Sequence, residues 1–144
     1  LIAGTDGPLA VKIKKECFKN ELQDTVIFLG YINDQQLTSF FYHASAFVFP
    51  STYEGFGIPL LEAMACGCPV ITSNISSMPE VAGDAAHYFD PYFPEDMAAK
   101  ILEVLSNEDL CAELIRKGHQ RRNHFQWETT AKRILDMLIG LRER

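Results

Sequence analysis

Between Asn20 and Ala99 the chain has no lysine and no arginine. All 13 cationic side chains lie in Lys12–Lys19 or in Lys100–Arg144, and the gap holds ten carboxylates. With a net charge of −6 at pH 7, this excludes a general nucleic-acid binder, which neutralises phosphates with clustered Lys and Arg. It also means that a phosphorylated ligand on this stretch meets main-chain amides rather than cationic side chains. Cysteine is sparse: Cys17, Cys66, Cys68 and Cys111 form no C-x-x-C pair. Cys66 and Cys68 are too close for an ordinary zinc knuckle, and a disulfide between them would be strained. They read as reduced thiols packed as small apolar groups, which fits a cytoplasmic protein. There is no Asp-x-Asp pair and no histidine cluster to hold Mg²⁺ or Mn²⁺; His119 and His124, five apart, do not share a helix face. The longest uncharged stretch, Gln35–Tyr53, is interrupted by Gln, His, Ser and Pro, so no membrane span fits. No basic segment followed by an apolar run marks a signal peptide.

What is present suits one globular domain: 144 residues, 47% hydrophobic and 22% charged, enough for a proper core. Leu1–Gly4 reads as the tail of a buried strand and Thr5-Asp6-Gly7-Pro8 as the turn after it, so the chain is expected to begin inside a longer protein. Helices are expected over Lys12–Leu22, from Asp34 as N-cap with Leu37, Phe40 and Phe41 apolar, and over Ile58–Ala65, closed by Gly67. Three more follow, over Met97–Leu105, Glu108–Arg121 and Thr129–Arg142. In the last, Trp127, Ala131, Ile134, Leu135 and Leu138 make one apolar face. Strands are expected over Thr25–Leu29, Ala46–Phe49, Pro69–Thr72 and Ala86–Phe89. They are continuous apolar runs alternating with helices, the pattern of an α/β, Rossmann-like fold: a parallel sheet with helices on both faces. Such sheets bind ligands at the carboxyl ends of their strands. The loops to inspect are Gly30–Asp34, Ser51–Gly57 and Thr72–Met78.

The richest is Ser51-Thr52-Tyr53-Glu54-Gly55-Phe56-Gly57-Ile58-Pro59, running on to Leu60-Leu61-Glu62-Ala63-Met64. Two glycines and a proline stand at a strand-to-helix junction, where the N–H groups of Phe56, Gly57 and Ile58 can point at a ligand. Helix N-termini favour anions, phosphate above all, and glycine lets a ligand approach the main chain. Glu54 and Glu62 can then face one crevice. A plainer reading makes Glu62 a partner of the helix dipole and Glu54 a solvated loop residue. A dinucleotide fingerprint is excluded, because Leu60 stands where G-x-G-x-x-G needs its third glycine.

Glu54-Gly55-Phe56-Gly57-Ile58-Pro59, then Leu61-Glu62-Ala63-Met64-Ala65-Cys66-Gly67, then Pro69-Val70-Ile71, resembles the E-x7-E signature of glycosyltransferase family four. The likeness extends to Val26–Tyr31, to Pro79–Ala85, to Asp90-Pro91 and to Phe125–Glu128, nearly the whole chain. It implies a GT-B enzyme, two Rossmann-like domains facing across a cleft, with this chain as the donor-binding, C-terminal one. By resemblance, Glu54 is the catalytic carboxylate beside the transferred sugar, and Glu62 accepts hydrogen bonds from the two ribose hydroxyls. Gly55 and the amides of Phe56, Gly57 and Ile58 border the sugar and diphosphate, and Tyr31 and Ile32 border the base. Two readings of Asp34 stand side by side: a guanine acceptor, which selects GDP, or a helix cap alone.

The resemblance therefore implies a retaining hexosyltransferase of polysaccharide, lipopolysaccharide or glycoconjugate biosynthesis. Mannose from GDP-mannose would be moved to a sugar or lipid-linked glycan acceptor, without a metal or other cofactor. The acceptor domain, and the Arg and Lys that family members use on the leaving diphosphate, are expected upstream of Leu1; without them the fragment is expected to be inactive. A peripheral contact with the inner membrane face would come through that missing domain. The alternatives are a UDP- or ADP-sugar transferase or epimerase of the same fold, a non-catalytic nucleotide-sugar module and, last, a glycoside hydrolase, which also pairs carboxylates.

Overall fold

The computed structural model describes residues 1–5 and 7–142; Asp6, within the expected first turn, lies outside the described residues. The chain divides into two compact units, Leu1–Ser39 and the residues from Phe40 onward.

In the first unit, β1 (Ile2–Ala3) pairs in parallel with β2 (Phe28–Gly30). Helix α1 (Pro8–Lys19) starts four residues before the expected Lys12, with Gly7 as N-cap and Pro8 at its first position. Proline suits that position, since its φ is already helical and the N–H it lacks would have no partner there. Strand β2 is shorter than the expected Thr25–Leu29, because the amides of Thr25 and Val26 both donate to the Leu22 carbonyl and curl the chain first. Helix α2 (Asp34–His43) begins as expected, but its cap is Asn33. The Asn33 Oδ1 accepts from the Gln36 N–H at 2.9 Å, and Gln36 Oε1 accepts from the Asn33 N–H at 3.1 Å. This reciprocal box satisfies two end donors, which leaves Asp34 as the first helical residue rather than the cap.

The second unit is built on β3 (Phe47–Phe49), β4 (Val70–Ser73) and β5 (Ala86–Phe89), paired in that order and all parallel. Val48 stands opposite Ile71, and Ile71 opposite His87. Each unit thus has its own parallel ladder, β1-β2 in the first and β3-β4-β5 in the second. Helix α3 (Ile58–Ala65) crosses from β3 to β4 and has the expected bounds. It closes on Gly67, whose φ of +72° admits glycine easily. There Gly67 N–H donates to Met64 O and Cys68 N–H to Ala63 O, at 3.2 and 3.0 Å, the two bonds of a Schellman stop. A five-residue helix, α4 (Met78–Ala82), was not expected from the sequence, being too short to show a period.

Helices α5 (Pro94–Ser106) and α6 (Glu108–Arg122) supply the rest of the core. Buried Ile71, Phe89, Val104 and Leu114 pack together, with Val48, Met97 and Ile101 against them. The last helix, α7 (Trp127–Arg142), carries the apolar face expected of it, but Trp127, Ile134, Leu135 and Leu138 on that face are exposed. Among the described residues no helix is long and apolar enough to cross a membrane.

Candidate active site

Parallel pairing puts the carboxyl ends of β3 and β4 side by side, so the loops leaving them, residues 50–57 and 74–77, are neighbours. This is where an open α/β sheet offers a crevice. The first loop runs straight into α3, whose N-cap is Gly57 at φ +94°. A β-carbon built on Gly57 would lie 3.3 Å from Leu60 Cδ1. The left-handed turn and that close approach together explain the glycine. No side chain caps this helix end, and the Phe56, Gly57 and Ile58 amides have no acceptor among the described residues. The end is therefore a set of open donors with the positive pole of the helix behind them.

Glu54 lies just ahead of these amides and is half-buried. Its Oε1 accepts from Ser51 Oγ at 2.9 Å. Its main chain is held by the second loop: the Glu54 N–H donates to Ser76 Oγ at 3.1 Å, and the Glu54 carbonyl accepts from Ser76 and Ser77 Oγ, each at 3.0 Å. Ser77 Oγ also reaches the Phe56 carbonyl at 2.9 Å. The Phe56 ring meets Phe125 edge-on, with centroids 5.6 Å apart. Beneath the loops, the buried Thr72 hydroxyl donates to Phe49 O at 3.0 Å, and that of Ser73 donates to Ser51 O.

Glu62 is exposed and sits one turn into α3, which has no acidic residue in its first turn. A carboxylate gains from the dipole only within that first turn, so the plainer reading of Glu62 loses its ground. The same carboxylate, after burial, helps to push the nearby Cys66 thiol above its ordinary pKa. Glu54, Gly55, Phe56, Gly57, Ile58 and Glu62 thus share one loop and one helix. Tyr31, Ile32 and Asp34 belong to the first unit, at the carboxyl end of β2 and the start of α2. Tyr31 and Asp34 are exposed there and Ile32 half-buried.

The same unit has a cleft of about 220 Å³ at its strand ends, lined among others by Gly4, Thr5, Gly7, Phe28 and Gly30. Gly4–Gly7, a strand end and turn by sequence, signal this cleft only through their glycines between a strand and a helix. Among the described residues no three His, Cys, Asp or Glu side chains gather as metal ligands do.

The fold and this strand-end site define an α/β protein of the Rossmann-like, GT-B kind. The family model of glycosyl transferases group 1 matches residues 1–121, and the chain belongs to that family. It is 43% identical over 101 residues to O-antigen chain mannosyltransferase B of Escherichia coli, a match covering 70% of this chain and 26% of that protein. It is 37% identical over 111 residues to serotype-specific mannosyltransferase WbdA of E. coli, covering 77% of this chain and 14% of the relative. Among solved structures, sucrose-phosphate synthase from Thermosynechococcus elongatus superposes with a TM-score of 0.85 at 28% identity, over 96% of this chain and 37% of that one. The chain thus spans about a quarter, or less, of the length of these two mannosyltransferases.

Proposed function

We propose that this chain is the donor-binding part of a retaining glycosyltransferase that moves mannose from GDP-mannose to a hydroxyl of a sugar or lipid-linked glycan. One observation carries the reading: half-buried Glu54, its main chain held by Ser76, comes two residues before three open amides at a helix N-terminus. A glycosyl transfer from a nucleoside diphosphate needs those two things together. Negative charge grows on the departing diphosphate and positive charge on the anomeric carbon. The amides of Phe56, Gly57 and Ile58 accept the first and the Glu54 carboxylate favours the second. Glu62, exposed one turn further on, takes the ribose hydroxyls, as acidic residues do in other nucleotide sites. The reading needs no metal.

Mannose as the sugar is supported by the two mannosyltransferases among the relatives. Guanine as the base is supported by Asp34: Asn33 supplies the helix cap, so the Asp34 carboxylate remains to accept from the guanine N1–H and exocyclic amine.

The test is Glu54→Gln in the full-length protein. Turnover of GDP-mannose should fall far more than its affinity, because the interaction strengthens as charge develops in the transition state. A variant that loses donor affinity with kcat untouched removes Glu54 from the chemistry. If the wild-type protein turns over UDP-glucose and ignores GDP-mannose, the guanine reading of Asp34 fails while the transferase reading stands.

A further inference from the structure

Two serines of the β4–α4 loop have no part in the chemistry above, yet they hold the main chain on which it stands. Ser76 has φ +59°, the left-handed region that side chains with a β-carbon enter at a cost. In that conformation one hydroxyl serves both main-chain groups of one residue 22 positions away. Ser76 Oγ accepts from the Glu54 N–H at 3.1 Å and donates to the Glu54 carbonyl at 3.0 Å. Ser77 Oγ lies 3.0 Å from the Glu54 carbonyl oxygen and 2.9 Å from that of Phe56, so its one hydrogen is shared across the turn. The carboxylate is held separately, by Ser51.

Stability alone does not account for Ser76. The residue is exposed, it lies outside the buried core, and glycine would adopt its backbone without the β-carbon penalty. What the strained serine adds is a hydroxyl aimed at Glu54. Strain of this kind persists where surrounding contacts over-determine it, and it gathers at functional loops.

We propose that Ser76 and Ser77 are positioning residues for the transfer, fixing the Glu54–Phe56 main chain so that the carboxylate and the following amides are in place before the donor arrives. The proposal rests on the role given to Glu54 above. Its decisive variant is Ser76→Gly, which keeps the backbone conformation and removes only the hydroxyl. In the full-length protein, with GDP-mannose and UDP-glucose each assayed as donor, Ser76→Gly should keep its melting temperature within a few degrees. Its kcat should drop on the order of 10- to 100-fold, the scale of a misplaced catalytic group, while KM for the donor moves much less. Ser77→Ala should lower kcat in the same direction, and Ser77→Thr, which retains a hydroxyl, should recover most of it. Hydrogen exchange at the Glu54 amide should speed up in Ser76→Gly whether or not a donor is present. Unchanged kcat and unchanged Glu54 protection in Ser76→Gly, alongside an inactive Glu54→Gln, overturn the positioning role. If Glu54→Gln keeps its kcat, the proposed function fails instead, and Glu54 exchange still decides whether the serines hold the loop.

Discussion

Glu62 stands exposed on α3 beyond the turn where its charge could help the helix, so the fold makes little use of it. Its replacement should separate folding from binding. Glu62→Ala is expected to change stability by no more than about 0.5 kcal/mol, the usual range for surface substitutions. It should weaken nucleotide binding by about 1.5–3 kcal/mol, the range for hydrogen bonds to a charged group. Calorimetric titration with GDP and UDP checks this, and unchanged affinity for both removes the ribose assignment. Tyr88 is the opposite case, a polar group the fold half-buries. Its hydroxyl donates to Gly83 O at 2.6 Å. Burial pushes its pKa up to about 12, with Arg121 pulling it down and Asp84 up. An unfolded tyrosine ionises near pH 10. Between the two values the unfolded state releases a proton that the folded state keeps. The stability Tyr88 contributes is therefore whole below about pH 10 and is lost as pH rises toward 12. Tyr88→Phe should flatten that part of the pH–stability profile in urea titrations; an equally steep fall in the variant assigns the loss to other groups.

At the scale of elements, the packing of α3 on α6 depends on Gly118. A β-carbon there would lie 3.0 Å from Met64 Cγ and 3.3 Å from Met64 Cβ, so any side chain at this helix crossing requires Met64 to give way. Gly118→Val should cost about 1–3 kcal/mol, as overpacking does, and denaturant melts will show it. A neutral result means that Met64 moves aside freely. Which elements were legible follows from what marks their ends. Helix α3 and strand β5 were readable to the residue: α3 lies between Gly57 and Gly67, and β5 is a compact run of small and aromatic residues. The start of α1 is not legible, because Pro8 fits a turn and a first helical position equally well. Asn33 and Asp34 are both capping residues, so the sequence leaves the cap open between them, and only the pairing with Gln36 chooses Asn33. The Glu54–Glu62 segment was readable as a motif because its residues are contiguous. Ser76 and Ser77 were not, since their hold on Glu54 runs through main-chain atoms 22 and 23 residues away, and no spacing rule records that.

The whole molecule is marked by where its cations are and what already occupies them. None lies between Asn20 and Ala99, and several that follow are committed. The Arg121 Nε donates to Val81 O at 2.8 Å, and its guanidinium also bonds Glu80 O and lies 5.1 Å from the centre of the Phe125 ring. Lys117 sits between Glu113 and Asp84 at 2.8 and 3.3 Å, and Lys100 lies 3.1 Å from Glu103. A diphosphate at the start of α3 therefore meets open amides and one helix end. That end contributes on the order of 0.3–1 kcal/mol when exposed. Converted to an equilibrium, this is a preference of no more than about fivefold, set against the carboxylates of Glu54 and Glu62 close by. The chain of residues 1–144 should consequently bind GDP hardly more tightly than guanosine. A full-length protein that carries the Arg and Lys expected upstream should prefer the diphosphate clearly, and that preference should shrink as salt screens them. Titrating both ligands against both proteins at two salt concentrations decides it. If GDP binds residues 1–144 a hundredfold more tightly than guanosine does, the lysines of α1 or another cationic group form a phosphate site, and the open amides of Phe56–Ile58 are not what recognises the diphosphate.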